Sequence, residues 1–458
     1  MSSQSKAGAN GITEGVIWKQ LLSFFFPILF GTFFQQLYNT VDAVVVGNFL
    51  GKEALASVGG ATGTLINLLV GFFTGLASGA TVIISQFYGA RQDEQVSQAV
   101  HTSAALALAG SVIMFFIGFF GAPLALEAMG TPADIMVHSM TYIRTYFAGI
   151  VFPLIYNIGS GILRAIGDSK RPLYFLIVCC IVNLILDIVF VVFFGMGVFG
   201  VALATVIAQA VSAVLVIVTL LKTPTAIHLF PRAIRFTGPI LKSIIIIGLP
   251  AGLQSMMYSL SNIVIQSSVN SFGTNSIAAW TAYGKIDGVY WMTIHAFGIA
   301  ITTFVGQNFG AQKFDRVKRS VHVCLAMAIF ASAAVSIVIL LFGQYILALF
   351  TSDADVLAIG VSMIRQLAPF FAVYAFIEIY SGACRGAGDA LIPMLMTCVG
   401  VCVMRVAWVL IAVPLMPRLS TTLMSYPITW ITTSLFFAVY YYRGRWMKRR
   451  MKAMGFIK

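Results

Sequence analysis

Charge is scarce in this sequence. Asp, Glu, Lys and Arg together make up 9% of its 458 residues, against about 25% in soluble globular proteins. With 59% hydrophobic residues and a mean hydropathy of +0.94, no water-facing surface can be built. Long polar stretches are missing beyond residues 1–17, and no small-residue cleavage site follows them, so no cleaved signal is expected. The ~10-residue alternation of barrel strands is absent. Metal-type spacing is absent as well: the six cysteines lie in or beside apolar runs, with Cys179 and Cys180 merely adjacent. They read as small buried hydrophobes. No His, Cys and Asp cluster, phosphate loop or nucleophile–base constellation appears, so neither an enzyme nor a cofactor is expected.

What remains is a succession of apolar runs, each about 20 residues or longer and able to cross a ~30 Å hydrocarbon core as a helix. Twelve are expected. Six lie near 19–47, 56–87, 99–120, 138–162, 173–194 and 200–222. Six more lie near 242–270, 278–308, 319–342, 357–384, 394–413 and 421–442. The fold class is an all-α membrane protein. The net charge of +13 does not point to nucleic acid, because its placement follows the positive-inside rule. With a cytoplasmic N-terminus, Arg91, Lys170, Arg171, Arg232, Arg235, Lys313, Arg316, Lys318 and Arg319 face the cytoplasm. So does the tail, with Arg443, Arg445, Lys448, Arg449 and Arg450. Only Lys52 and Arg418 lie in outer loops. The expected location is the cell membrane, multi-pass, with both termini cytoplasmic. The basic tail could hold anionic lipid.

The sequence repeats itself. Ile143-Arg144 matches Ile364-Arg365, Ser160-Gly161 matches Ser381-Gly382, and Gly167-Asp168 matches Gly388-Asp389. Each pair is 221 positions apart, as Arg164 and Arg385 are. Gln86 and Gln307, and His101 and His322, keep the same offset; Pro27 and Pro250, upstream, slip slightly. The chain therefore reads as two lobes, 1–222 and 242–442, with a linker at 223–241 and a basic tail at 443–458. Six spans per repeat give both halves the same orientation, as in parallel-repeat transporters.

Ionisable residues within spans cost about 2.5–3.5 kcal/mol each on insertion scales and are usually functional. Asp42, Asn183, Asp187 and Thr205 fall at similar depth in the first lobe, Asn183 sharing a helix face with Asp187. Two carboxylates there cannot both stay ionised cheaply. They could share a proton, or bind a sodium ion with oxygens from Asn183 and Thr205. The alternative is a structural hydrogen-bonded lock. The cation site is favoured because the second repeat does not keep the carboxylates: Asp42 aligns near Asn262, and Asp187 falls on Trp408. Glu378 could meet a cationic substrate, carry a proton, or pair with Arg385 at i+7. Asp287 could act likewise or be an interfacial anchor. Arg144 and Arg365 suggest scaffold roles. The Arg-x-x-Gly-Asp turns at 164–168 and 385–389 read as helix stops with a left-handed glycine.

These residues resemble the multidrug and toxic compound extrusion family, in its DinF-like prokaryotic branch. The resemblance rests on Pro27, Tyr38-x-x-x-Asp42-x-x-x-Val46-Gly47, Gln86-x-x-Gly89-Ala90 and Leu163-Arg164-x-x-Gly167-Asp168-x-x-x-Pro172. Asn183-x-x-x-Asp187 and Thr205 complete it. It implies two six-helix lobes forming a V around a cleft. It also implies export of small lipophilic, often cationic compounds in exchange for H+ or Na+, by a monomer in contact with membrane lipid. By resemblance, Asp42, Asn183, Asp187 and Thr205 form the cation site. NorM-like members carry an acid eight positions after the second-lobe proline, where this chain has Tyr258. Coupling is therefore expected in the first lobe, with Tyr258, Glu378 and Asp287 as candidate substrate or proton residues. Flipping of a lipid-linked precursor is the alternative, with Arg144, Arg365 and Arg405 as its basic residues.

Overall fold

The computed structural model describes residues 12–457, and among them every regular element is a helix. Eleven helices are long and apolar enough to cross a membrane. A twelfth span results if the pair Ala133–Ala148 and Val151–Ala165, bent by 49°, counts as one. In order, spans 1 to 6 are Ile17–Phe49, Lys52–Gly89, Asp93–Ala128, the bent pair, Lys170–Phe193 and Gly197–Lys222. Spans 7 to 12 are Gly238–Asn270, Thr274–Gly310, Phe314–Ala348, Ala354–Gly386, Leu391–Leu415 and Leu419–Arg443. A short basic helix, Trp446–Ala453, follows. All twelve expected runs are helical, most of them several residues longer than the apolar core that reveals them. Polar first and last turns carry little hydropathy, so the ends are hard to see in sequence. Large apolar side chains such as Phe120, Phe193, Phe330, Leu341 and Leu410 face outward. That surface suits lipid, not water.

The bend in span 4 has a local cause. Pro153 lies in the first turn after the break and cannot donate the bond that would carry the helix straight through. Both Arg-x-x-Gly-Asp turns close as their spacing requires. Gly167 and Gly388 sit at φ 95° and 92°, and the amides of Asp168 and Asp389 reach back to Leu163 and Cys384. The duplicated arginines do not share a role. Arg144 lies over the Phe119 ring at 5.4 Å, whereas Arg365 is exposed.

The helices group into two compact units. The first comprises Phe26–Gly252 and the second comprises Ile12–Phe25 with residues 253–457. The change of unit falls beside Pro27 in span 1 and Pro250 in span 7, where the helix lacks a backbone donor. In the first unit, span 2 crosses the start of span 7 at backbone contact. A methyl added at Gly75 or Gly79 would strike the backbone of residues 244–252, and one at Gly248 would strike Leu76. Gly75 and Gly79 face Gly248 and Gly252, a small-xxx-small pattern on both helices. In the second unit, the start of span 1 is held by stacking of Phe25 on Phe297, centroids 4.0 Å apart. Arg316 extends this hold by donating to the carbonyl oxygens of Ile12, Glu14 and Gly15.

Replacing Gly79 by Val should therefore lower the melting temperature of the purified protein. Overpacking against backbone costs about 1–3 kcal/mol or more. Gly284→Ala, where an added methyl meets nothing within 4 Å, should leave it unchanged or slightly higher. Equal melting of Gly79→Val and wild type would refute the crossing.

Candidate functional site

In the first unit, Asp42 on span 1, Asn183 and Asp187 on span 5 and Thr205 on span 6 converge. Their exposures are 4%, 0%, 0% and 4%. The Thr205 hydroxyl donates to Asp42 Oδ2 at 3.1 Å. The Asp187 carboxyl and the Asn183 amide come within side-chain reach of Asp42. Even so, Asp42 Oδ1, both Asp187 carboxylate oxygens and both Asn183 amide atoms are buried without a hydrogen-bond partner. Among the described residues the Thr205 hydroxyl is thus the one donor in hydrogen-bond geometry with either carboxylate, and the Asn183 amide lies beside it.

The surroundings hold this arrangement in place. Gln209, one turn beyond Thr205, donates to the Tyr38 hydroxyl at 3.0 Å. Tyr142 lies close enough to Thr205, Asp42 and Asp187 to feel all three. An apolar cluster of Val45, Val46, Val198 and Val201 packs around Tyr142. Immediately after Asp187, span 5 widens into a π-helical segment, Ile188–Phe193. Such segments are frequent at functional sites. Sequence reasoning brought out the four polar residues. It missed Gln209 and Tyr142, for which the only signals were a glutamine within an apolar run and a tyrosine near the start of span 4.

Chemically, the group of oxygens fits a small hard cation or a shared proton. Two carboxylates supply charge, while the Asn183 oxygen and the Thr205 hydroxyl supply neutral donors, the ligand set of hard cations. Among the described residues, no group of three or more His, Cys, Asp or Glu could hold a metal ion.

The second unit holds a different site. A cavity of about 520 Å³ is lined by Tyr258, Trp280, Asp287, Trp291, Arg405 and Trp430, among others. Asp287 lies well inside the 37-residue helix Thr274–Gly310, accepting from Trp291 Nε1 at 2.6 Å and from the Tyr283 hydroxyl at 3.2 Å. The direct partner of Glu378 is His295, at 3.4 Å, and not Arg385. The Glu378 carboxyl rests on Gly298, where any side chain would collide with it. Tyr258 shares a hydrogen bond of 3.0 Å with Tyr374. His295 escaped sequence reasoning because its partner lies on another span, 83 residues away.

Comparison with known proteins agrees with this architecture. The MatE family model matches residues 27–189 and again 250–411, one match per repeat. The chain belongs to the MatE family of membrane transporters, which are not enzymes. It is 28% identical to the probable multidrug resistance protein YpnP of Bacillus subtilis over 87% of this chain and 88% of that one. It is 29% identical to the probable multidrug resistance protein YoeA of the same organism, over 82% and 83%. Among solved structures, it superposes with a TM-score of 0.89 and 24% identity on an outward-facing MATE family transporter, covering 98% of this chain and 99% of that one. On a MATE transporter in the straight conformation the TM-score is 0.88 at 23% identity, covering all of both chains.

The two readings of the first-unit site predict opposite responses to Asp187→Asn. A structural lock loses a partner and melts lower. A cation site loses an uncompensated buried charge, and stability at neutral pH without sodium should rise by roughly 1 kcal/mol, a few degrees. Thermal melting of the purified variant decides between them.

Proposed function

We propose that this chain is a cation-coupled antiporter that exports small lipophilic, often cationic compounds across the cell membrane by alternating access. The observation that carries the reading is the buried set of Asp42, Asn183, Asp187 and Thr205, in which three of the four carboxylate oxygens have no hydrogen-bond partner. Charge enclosed in this way calls for a proton or a sodium ion, each delivered by the gradient across the membrane. A cation moving inward yields about 2.3 kcal/mol per charge per 100 mV. Its arrival neutralises the pair and permits span 1 to repack at Pro27; its departure restores the charged form. Relatives named as multidrug resistance proteins support the substrate class. The same names count against the flippase alternative. The placement of basic residues supports a cytoplasmic position for both termini, and the presence of both repeats in a single chain supports function as a monomer. Tyr258, Asp287 and Glu378 serve the second unit as substrate or proton residues.

The test is efflux of a fluorescent lipophilic cation from proteoliposomes, with proton and sodium gradients imposed separately. Wild type should export under one of them. Asp42→Asn should lose gradient-driven export by about a hundredfold or more while reconstituting normally, since no charge remains there to couple. Export that survives the substitution, or is absent under both gradients, would overturn the proposal.

A further inference from the structure

The cavity of the second unit contains a charge that the protein leaves unanswered. Arg405, on span 11, is 2% exposed and lines the cavity. Its guanidinium lies over the Tyr426 ring, 4.0 Å from the centroid. Its Nε is buried without a hydrogen-bond partner, and among the described residues it takes part in no ion pair. A ring face answers only part of a desolvated cation's demand, and a planar guanidinium is built to hold a carboxylate in two parallel bonds. Asp287 stands in the same wall without pairing with Arg405. Both of its oxygens accept from aromatic donors, Tyr283 and Trp291. Arg405 and Asp287 thus share a cavity without pairing, and a guest that carries both an anionic and a cationic group can engage the two at once.

The repeat sharpens the contrast. Tyr426 stands 221 positions after Thr205, and Trp408 stands 221 after Asp187. Arg405 is one turn before Trp408 and follows the π-helical segment Cys398–Val403. The positions that match Asp187 and Thr205 are therefore aromatic in the second unit, and the guanidinium lies on one of those rings. Three tryptophans of the wall, Trp280, Trp291 and Trp430, provide flat apolar faces. The volume of about 520 Å³ lies in the range of sites for drug-sized molecules.

We infer that this cavity binds flat aromatic zwitterions, with an anionic group such as a carboxylate docked on Arg405 and a cationic end toward Asp287. This rests on the export reading and refines its substrate class: cationic character alone leaves Arg405 unmatched, whereas an added carboxylate answers it.

Two dyes that differ in one group test this. Rhodamine 110 carries a free carboxylate on a cationic ring system, and rhodamine 123 is its methyl ester. Binding to the purified full-length protein is read by fluorescence anisotropy, with no gradient present. Wild type should bind the acid about tenfold more tightly than the ester, the scale of one desolvated charge-assisted pair. Arg405→Gln should abolish that preference by weakening the acid alone. Asp287→Asn should weaken both dyes and keep their ratio, so the claim remains testable if the arginine variant does not fold. Equal or tighter binding of the ester by wild type, or an unchanged preference in Arg405→Gln, overturns the inference. Asp42→Asn should retain the preference. A preference without any coupled export would remove the export reading and leave this one standing; coupled export without the preference does the reverse.

Discussion

Two carboxylates enclosed in an apolar bundle, three of their four oxygens without a hydrogen-bond partner, are the constraint on which the rest of the first unit depends. Asp42 comes from span 1, Asp187 from span 5 and Thr205 from span 6, so three helices must meet to form the group. Charge placed there costs several kcal/mol unless it is compensated. The surroundings fix the group without neutralising it. Gln209 orients Tyr38, and a valine-rich cluster packs around Tyr142. On the proposed reading the bundle has two electrostatic states that differ by one cation, the minimum needed to couple a gradient to a change of shape.

Such coupling also needs helices that can yield at defined points. Span 1 and span 7 each contain a proline near the place where the chain passes from one compact unit to the other. Asp42 lies on the same helix as Pro27, fifteen residues further on. The glycine crossing of spans 2 and 7 and the Arg316 hold on residues 12–15 fix the outer segments of the two proline helices. The two units then differ in the charge they enclose: two neighbouring carboxylates in the first, and in the second a guanidinium that shares a cavity with Asp287 without pairing with it.

Much of this was legible in the sequence, and the reasons are physical. Membrane spans announce themselves because each must be apolar along its whole crossing length, so all twelve runs could be placed. The repeat placed six expected spans in each half, and the family model matches once in each. Asp42, Asn183, Asp187 and Thr205 could be grouped because depth in a membrane can be counted along a helix. What depends on rotation about helix axes could not be counted. The stacking of Arg405 on Tyr426, the pairing of Glu378 with His295 and the position of Asp287 in a cavity wall all need packing between distant spans. The i+7 spacing of Glu378 and Arg385 suggested a partner along the helix, but the nearer one was across it. The grouping of residues 12–25 with the second half was equally hidden, since it is determined by Phe297 and Arg316 about three hundred residues away.

The central claim is that substrate and coupling cation compete through the Asp42–Asp187 group. Linkage makes this measurable without transport, because an effect of cation on substrate must be matched by one of substrate on cation. The direct measurement is cation release when a lipophilic dye is added to purified protein in weak buffer, followed with a pH indicator and a sodium electrode. Wild type should release protons or sodium ions as dye binds, and Asp42→Asn should bind dye with no such release. Release of the same size in the variant, or none in wild type, would contradict the account.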